Sequence, residues 1–388
     1  MNYLGYPQAA LEAAGGICTA REIAQQPAVW VKIERGVTGE AAALRAFLDP
    51  LLARPDLRII LTGAGTSAFV GECLAPALKR RTQRRVDAVA TTDLVGSPDT
   101  WLEPKVPTLL VSFARSGNSP ESVAAVAIAE KGVPDCHHLI VTCNAEGSLY
   151  RQRQRLRNSH AVLLPEETND RGFAMTSSFT GMMLAASLAF DLSPQDRPAE
   201  IADSASHVLE TGLPLLQNLV RSGFERVVYL GSDAFKGLAR EAALKLLELS
   251  DGNVVALAET PLGFRHGPKT IVNARTLVVV LLGSDAYTRR YDLDLLNELR
   301  SDGVAGRVLA LTARPLVVPH PDDIVLSLGP GPVSDLALCL PYVMFAQAFA
   351  FLQSLALGLR PDVPNVGGTV SRVVRGVTIY PWDAAGPA

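Results

Sequence analysis

The chain has 388 residues, which suggests two domains if each takes roughly 150 residues. Hydrophobic residues make up 48% and charged residues 19%, which excludes an intrinsically disordered chain and indicates extensive buried surface. The 36 basic and 39 acidic residues leave a net charge of -3, so the basic footprint typical of nucleic-acid binding is missing. Five cysteines without a C-x-x-C pair argue against a disulfide framework or a zinc cluster.

No targeting signal is expected at the N-terminus, because residues 1–16 contain neither a basic region nor a long apolar core. One later segment, residues 336–359, is uncharged and nearly as apolar as a membrane span. However, Pro341, Gln347 and Gln353 interrupt it. We therefore expect a buried helix at a domain or subunit interface, no membrane contact and a cytoplasmic location.

Short apolar runs alternate with helix-length amphipathic stretches, which predicts parallel sheets covered by helices. The runs also repeat, and the first two pairs are each offset by 168 residues. The four pairs of similar segments are 58–68 with 226–236, 108–112 with 276–280, 139–142 with 309–312 and, more loosely, 161–165 with 323–330.

This repeat predicts an α/β protein with two tandem copies of one flavodoxin-like domain, each a parallel sheet flanked by helices. A Pro- and Asp-rich stretch at 191–198 marks the turn between the copies. The predicted parts are an N-terminal helical extension at 1–44, domain 1 at 45–205, domain 2 at 215–375 and a C-terminal tail at 376–388.

A glycine-rich turn follows the first predicted strand of domain 1. Gly63 and Gly65 precede Thr66 and Ser67, which open a predicted helix. Glycines let the backbone approach an anion, and the first turn of a helix presents oriented N–H groups. With the two added hydroxyls, this turn is suited to bind a phosphate.

A second turn of the same kind follows the next predicted strand of domain 1. Arg115, Ser116, Asn118 and Ser119 lead there into an alanine-rich helix. Because both turns lie at the carboxyl ends of neighbouring parallel strands, they can close on one phosphate. Taken alone, each turn is equally explained as a helix start capped by Ser or Thr.

A dinucleotide site is a competing interpretation of the first turn. Gly63-x-Gly65-x-x-Ala68 matches a relaxed form of the nucleotide fingerprint, with Asp93 as the ribose-binding acid. That interpretation gives no reason for a second serine-rich turn. In domain 2 the matching turn carries Asp233, which would repel a phosphate, so we expect one phosphate site per chain.

Residues 238–249 form a predicted helix on which Glu241, Lys245 and Glu248 share one face. From the helix alone, a solvated stripe of ion pairs is the more common explanation. The irregular loop that follows contains His266, and histidine is the side chain best suited to proton transfer near pH 7. Although a lone histidine in a loop is more often a surface residue, the two features together suggest acid–base chemistry.

Five motifs of the chain resemble those of a known family. GAGTSA, SFARSGNSPES, ETNDRGFAMTSSFT, REAALKLLEL and FRHGPK are similar to the sugar isomerase (SIS) domain proteins. The two-copy arrangement resembles the isomerase half of glucosamine-6-phosphate synthase. The sequences of the motifs resemble even more closely those of the bacterial galactosamine-6-phosphate deaminase/isomerase proteins. These proteins are also described as tagatose-6-phosphate ketose/aldose isomerases. The likeness runs nearly from end to end.

The resemblance implies roles for several residues. Ser67, Ser116 and Ser119 match the family's phosphate ligands. Glu248 matches the glutamate that moves a proton between C1 and C2 of the sugar, and His266 matches the histidine that opens the ring. In the synthase this histidine comes from the partner subunit, so the resemblance implies a homodimer or a dimer of dimers.

Three further positions follow from the same likeness. Lys245 and Glu241 match the neighbours of the proton-moving glutamate, and Arg375 stands where the synthase closes its site with a lysine. An arginine keeps the positive charge but cannot form an imine, because its pKa exceeds ~12. No metal or redox cofactor is implied.

The resemblance implies a reaction that converts a hexosamine 6-phosphate to a ketose 6-phosphate and ammonia. The galacto configuration of the sugar is implied only by the likeness to the galactosamine-6-phosphate proteins. The synthase's glutaminase domain has no counterpart here, which favours the ammonia-releasing direction. One alternative is a ketose/aldose isomerase without deamination. Another is a phosphosugar sensor, although the first 45 residues are poor in basic side chains for a DNA-binding module. The basic runs at 79–85 and 151–157 are expected to be solvated faces rather than a nucleic-acid site.

Overall fold

The computed structural model describes residues 1–156, 158–326, 333–374 and 376–383. It divides into two compact units, which we name after their sheets. The first-sheet unit comprises Lys32–Asn169, Ser177–Pro194 and the described part of Thr369–Ala388. The second-sheet unit comprises Met1–Val31, Asp170–Thr176 and the described part of Gln195–Gly368.

The strands are numbered in chain order. They are β1 (Asn2–Tyr3), β2 (Tyr6–Pro7), β3 (Arg58–Thr62), β4 (Arg85–Ala88), β5 (Thr108–Ala114), β6 (Cys136–Thr142), β7 (Ser159–Leu163), β8 (Arg226–Gly231), β9 (Val255–Glu259), β10 (Thr276–Leu281), β11 (Arg307–Thr312) and β12 (Ile324–Val325). The short strands β1 and β2 pair with each other in antiparallel fashion.

The helices are numbered in the same way. They are α1 (Gln8–Ala14), α2 (Ile17–Gly39), α3 (Ala41–Leu52), α4 (Thr66–Thr82), α5 (Thr91–Gly96), α6 (Pro98–Trp101), α7 (Pro120–Gly132), α8 (Ser148–Gln152), α9 (Ser177–Ala189), α10 (Pro198–Arg221), α11 (Ala234–Leu249), α12 (Pro261–Phe264), α13 (Thr288–Asp302) and α14 (Asp335–Ala356). Two 3₁₀ turns, Glu166–Thr168 and Pro268–Ile271, complete the regular structure of the described residues.

The first sheet has the strand order β4-β3-β5-β6-β7, and every pairing in it is parallel. Its inner strands β3 and β5 are buried along their whole length, because helices cover both faces of a parallel sheet. The edge strand β4 is more exposed. Thr62, the last residue of β3, pairs with Ser112 of β5, so the turns after the two strands lie at one edge.

The second sheet repeats this plan. Its order, β12-β11-β10-β8-β9, is again parallel throughout and corresponds strand by strand to the first sheet. In both sheets the first strand lies between the second and the third, which is the flavodoxin-like order. The predicted fold class, with two parallel sheets flanked by helices, is therefore confirmed. The edge strands β4 and β9 also correspond, although the sequence repeat does not include them.

The apolar segment near the C-terminus forms α14. It is the one helix of the described chain long and apolar enough to span a membrane, and 94% of its most apolar window is buried inside the structure. Within the second-sheet unit it packs against α10 and α11. Ser334 caps its first turn by accepting a hydrogen bond from Ala337 N, and the same hydroxyl lies 2.5 Å from a carboxylate oxygen of Asp196. The predicted buried helix is thus confirmed.

The turn after β8 holds an internal carboxyl group. Ser232 Oγ donates to Asp292 Oδ1 at 2.6 Å, and Asp292 is fully buried on α13. Burial raises the pKa of Asp292 from 3.8 to about 6, although the hydrogen bond from Ser232 acts in the opposite direction. In the second sheet, therefore, the first turn is occupied by an acid of the chain itself.

We expect Asp292→Asn to stabilise the protein at about pH 8 by roughly 2–3 kcal/mol in the free energy of unfolding. The folded state holds the Asp292 proton more tightly than the unfolded chain. The favourable contribution of this group is therefore complete below its unfolded pKa of 3.8 and is lost as the pH rises through about 6. The uncharged amide removes that loss.

Urea unfolding at about pH 4.5 and about pH 8 measures the effect. Asp294→Asn, an exposed position on the same helix, is the control and should change little at either pH. An equal gain for Asp292→Asn at both pH values would contradict the burial of an ionisable carboxyl group.

Candidate functional site

The turn after β3 brings two hydroxyls to the carboxyl edge of the first sheet. Gly65 has φ 53° and ψ −124°, and the chain enters α4 directly after it, at Thr66. Gly63 must be glycine, because a Cβ there would lie 2.5 Å from the backbone of Ser67. Thr66 and Ser67 are both buried in the first turn of α4. Backbone N–H groups and hydroxyls therefore converge where β3 ends.

The turn after β5 lies at the same edge. Ser119 Oγ donates to Ser122 Oγ at 2.6 Å, and Ser116 Oγ accepts from Asn118 N at 3.3 Å. The side-chain oxygen of Asn118 accepts two bonds from Ser148, each 2.9 Å long, which ties this turn to the start of α8. The predicted phosphate residues Ser116, Ser119 and Asn118 are thus held together in one ordered turn.

A buried cation accompanies these hydroxyls. Arg115 directly follows β5, is 5% exposed, and donates through Nη2 to the carbonyl oxygen of Arg372 at 3.2 Å. The edge thus carries hydroxyls, the N-termini of α4 and α7, and one guanidinium group. This is the donor set that a phosphate prefers.

Helix α11 carries the predicted acid–base residues, and their side chains are more buried than those of a solvent-exposed row of ion pairs would be. Glu241 and Lys245 are fully buried, and the side chain of Glu248 is 25% exposed. Lys245 Nζ lies 2.5 Å from Glu248 Oε2 and 3.6 Å from Glu241 Oε1. The face of α11 that carries Glu241, Lys245 and Glu248 is therefore largely buried, and it is not a solvated stripe of ion pairs.

The charge of Lys245 follows from its surroundings. Burial alone would lower the pKa of Lys245, but the carboxylates of Glu241, Glu248 and Asp170 more than offset it, and the pKa is raised. A buried ammonium group is stable only where such partners replace its lost hydration. The lysine is consequently a fixed positive charge beside the partly exposed carboxylate of Glu248.

Asp170 and Glu22 are two buried acids that the sequence reasoning does not assign. Asp170 accepts from the backbone N–H of Thr176 at 2.9 Å. Glu22, on α2, accepts from the backbone N–H groups of Arg171 and Gly172. Burial and the nearby Asp170 raise the pKa of Glu22 to about 8, although the backbone hydrogen bonds act in the opposite direction. The available signal was the ETNDRGFAMTSSFT motif, which contains Asp170.

The structure gives His266 a different environment from these residues. His266 follows α12 and is exposed, next to Gly267 with φ 115°. Its neighbour Arg265 pairs with Glu298 of α13 at 2.8 Å, which anchors the loop on the second-sheet unit. Arg375 lies outside the described residues. Within the described ranges, no group of three or more His, Cys, Asp and Glu side chains is arranged to hold a metal ion.

We expect Lys245→Met to lower the free energy of unfolding by roughly 3–5 kcal/mol, because it removes the buried ammonium group that offsets the charges of Glu241 and Glu248. Adding Glu241→Gln to Lys245→Met should recover part of the loss. Chemical unfolding at neutral pH measures both. The control is Lys236→Met, an exposed lysine on the same helix. Equal losses for the two lysine variants would contradict the assigned buried charge pair.

With this geometry established, comparison with known proteins identifies the family. The SIS domain model matches residues 51–192. D-galactosamine-6-phosphate deaminase AgaS from Escherichia coli is 47% identical over 382 residues, covering 96% of this chain and 98% of the relative. The protein of the same name from Shewanella sp. is 43% identical, covering 95% and 93%.

A solved structure agrees. The crystal structure described as tagatose-6-phosphate ketose/aldose isomerase from Escherichia coli superposes with a TM-score of 0.88 at 45% identity, covering 96% of this chain and 98% of that one. The chain therefore belongs to the SIS domain family, as its motifs predict.

Proposed function

We propose that this chain is an amino-sugar phosphate deaminase/isomerase that converts D-galactosamine 6-phosphate to tagatose 6-phosphate and ammonia. The names of relatives that match nearly the full chain support this substrate. The observation that carries the proposal within the structure is the carboxylate of Glu248, partly exposed and 2.5 Å from the buried ammonium of Lys245. A positioned carboxylate of this kind suits proton transfer at carbon next to a carbonyl group.

The first-sheet unit is proposed to bind the 6-phosphate. Ser67, Ser116 and Ser119 would donate hydroxyl hydrogen bonds, with Thr66, Arg115 and Asn118 as supporting contacts. Hydrogen bonds to a charged phosphate are stronger than neutral ones, so a few hydroxyls and one cation suffice to anchor the sugar. Binding energy from the unreactive phosphate then helps to fix the reacting carbons in place.

The second-sheet unit is proposed to supply the acid–base groups. His266 promotes opening of the ring, which exposes the C1 aldehyde. Glu248 takes the proton from C2, the electron pair of that bond forms the C1–C2 double bond, and the π pair of the C1 carbonyl moves to O1. O1 takes a proton from water, which gives an enol that carries the amino group. Glu248 then returns its proton to C1, the amine lone pair forms a C2 iminium ion, and loss of one N–H proton to the hydroxide gives the C2 imine. Water adds to C2, ammonia leaves, and the ketose phosphate remains.

Lys245 and Glu241 have supporting roles in this proposal. The ammonium group of Lys245 orients the Glu248 carboxylate, and Glu241 balances the lysine charge on the buried side of the helix. Arg375 is proposed to close over the substrate as a positive charge. Because an arginine side chain cannot serve as an imine-forming amine, no Schiff base with the substrate is proposed at this position.

A second candidate function is ketose/aldose isomerisation without loss of ammonia. The description of the Escherichia coli structure as a tagatose-6-phosphate ketose/aldose isomerase favours it. The same proton transfer between C1 and C2 serves both reactions. The two functions differ only in whether C2 carries an amine, so the nitrogen of the substrate distinguishes them.

We expect Glu248→Gln to keep phosphosugar binding and to lower kcat more than tenfold, which corresponds to a loss of more than ~1.4 kcal/mol of transition-state stabilisation. The amide keeps the shape of the side chain but cannot take the C2 proton. Steady-state turnover together with calorimetric binding measures the two effects. Glu225→Gln, which removes a surface partner of Arg275, is the matched control. A variant that retains a tenth or more of the wild-type kcat would show that Glu248 is not the base.

Ser67→Ala and Ser116→Ala should each raise KM for the phosphorylated substrate, by roughly 1–3 kcal/mol per lost hydrogen bond to the phosphate. The exposed Ser97 of the same unit provides the control variant Ser97→Ala. A double variant that combines Ser67→Ala with Ser116→Ala and binds phosphate as tightly as the wild type would contradict the proposed phosphate site.

We also propose that the enzyme is a cytoplasmic homo-oligomer in which His266 completes the site of a neighbouring subunit. The exposed position of His266 supports this arrangement. Glu248→Gln and His266→Ala should each be nearly inactive. When the two are co-expressed, hybrids would contain one site with both native residues, and part of the activity should return.

A pull-down with two differently tagged subunits first establishes that the hybrid forms. Activity that stays at the level of the parent variants in a verified hybrid would mean that His266 acts within its own chain. A fully active monomer in sedimentation would contradict the shared site altogether.

A further inference from the structure

Three buried hydroxyls lie at the carboxyl end of the first sheet and have no assigned role. Thr62, Thr91 and Ser112 are 1%, 2% and 4% exposed. The hydroxyl oxygen of each is inaccessible to solvent and has no hydrogen-bond partner among the described residues. Three such groups in one small region need a physical explanation, because nearly all buried polar atoms in proteins are hydrogen-bonded.

Two of the three hydroxyls share one face of the sheet. Thr62 and Ser112 are register partners on β3 and β5, so their side chains point to the same side. Ile60 and Leu110, two residues earlier on each strand, belong to the hydrophobic core that includes Leu94 of α5. The hydroxyls of Thr62 and Ser112 therefore lie at the upper edge of that core, on the side of α5 and α7.

Thr91 is bound directly to the glycine-rich turn. Its backbone N–H donates to the carbonyl oxygen of Gly63 at 2.8 Å, and Thr91 is the first residue of α5. Gly63 follows Thr62 and packs against Ser67. Thr62 and Thr91 are therefore each connected to the turn that carries Thr66 and Ser67, and Ser112 lies beside Thr62.

Other buried threonines of the same sheet have ordinary partners. Thr108, at the opposite end of β5, donates its hydroxyl to the carbonyl oxygen of Val106 at 2.9 Å. Thr142, at the end of β6, accepts from Asn144 N at 3.4 Å. A buried hydroxyl without a partner costs stability, and Val or Ala at such a position would avoid that cost. The contrast points to a ligand for Thr62, Thr91 and Ser112.

We propose that Thr62, Thr91 and Ser112 form an inner layer of donors behind the serine turns, and that they bind a phosphate oxygen directly or through one water molecule once the turns adjust around the anion. This inference rests on the proposed phosphate site of the first-sheet unit and extends it by three residues. Neutral hydroxyls suit this position, because they can donate to an anion without adding a buried charge. Their contribution is to affinity for the phosphate, and none of the three is proposed to transfer a proton.

The test uses Thr62→Val, Thr91→Val and Ser112→Ala in the full chain. Calorimetry measures the affinity for inorganic phosphate and for D-galactosamine 6-phosphate, with unphosphorylated D-galactosamine as a probe of the sugar alone. Each substitution should weaken the binding of both phosphate-bearing ligands about tenfold and leave the binding of unphosphorylated D-galactosamine unchanged. Inorganic phosphate separates binding of the phosphate group itself from binding of the whole substrate.

Thermal unfolding of the ligand-free variants provides the discriminating readout. We expect an unchanged or higher Tm, because each substitution removes an unpaired buried hydroxyl. The matched control Thr108→Val should lower Tm and leave phosphate affinity unchanged, since it deletes a satisfied hydrogen bond at the other end of β5. Thr62→Ser keeps the hydroxyl and should keep the affinity for phosphate. Its comparison with Thr62→Val separates loss of the hydroxyl from a change in packing.

Wild-type phosphate affinity in all three variants, together with a higher Tm, would overturn the inner layer. If Ser67→Ala and Ser116→Ala still weaken phosphate binding in that case, the proposed phosphate site stands and only the inner layer fails. If those serine variants also bind phosphate as the wild type does, the proposed site and the inner layer fail together.

Discussion

The burial of Lys245 is the constraint on which the acid–base site depends. An ammonium group removed from water loses hydration worth several kcal/mol and is stable only beside carboxylates. Glu241 and Glu248 supply two of these from the same helix, and Asp170 supplies a third charge from a distant part of the chain. Of these partners on α11, Glu248 alone reaches the surface. One electrostatic requirement thus explains why the partly exposed carboxylate of Glu248 is fixed in orientation.

The two sheets show how one topology can carry opposite charges. In the first, the turns at the carboxyl edge contain hydroxyls, helix N-termini and Arg115, a set of donors. In the second, the corresponding first turn contains Asp233, and Ser232 donates to the buried Asp292. An anion is favoured at the first edge and disfavoured at the second. The strand order repeats the same arrangement of carboxyl ends, and the side chains at the two edges differ in charge.

Much of the fold was predictable from the sequence, because the inner strands are continuous apolar runs. Such runs are typical of a parallel sheet whose two faces are both covered by helices. The edge strands β4 and β9 are not part of the sequence repeat, since their residues are exposed or only half-buried and are under less constraint to be apolar. At the site, the shared face of Glu241, Lys245 and Glu248 follows from helical spacing, but whether that face meets water or protein depends on the rest of the chain. Glu22 and Asp170 could not be assigned, because they meet across well over a hundred residues of sequence. Arg375 lies outside the described residues, and its role stays a prediction.

Release of the substrate nitrogen as ammonia distinguishes the proposed deaminase/isomerase from an isomerase. The most direct measurement incubates the purified protein with D-galactosamine 6-phosphate and quantifies ammonia and ketose phosphate in the same sample. We predict that the two products appear in equal amounts and at equal rates, and that tagatose 6-phosphate is the ketose formed. Interconversion of aldose and ketose phosphates with no release of ammonia would contradict the account and establish the isomerase function instead.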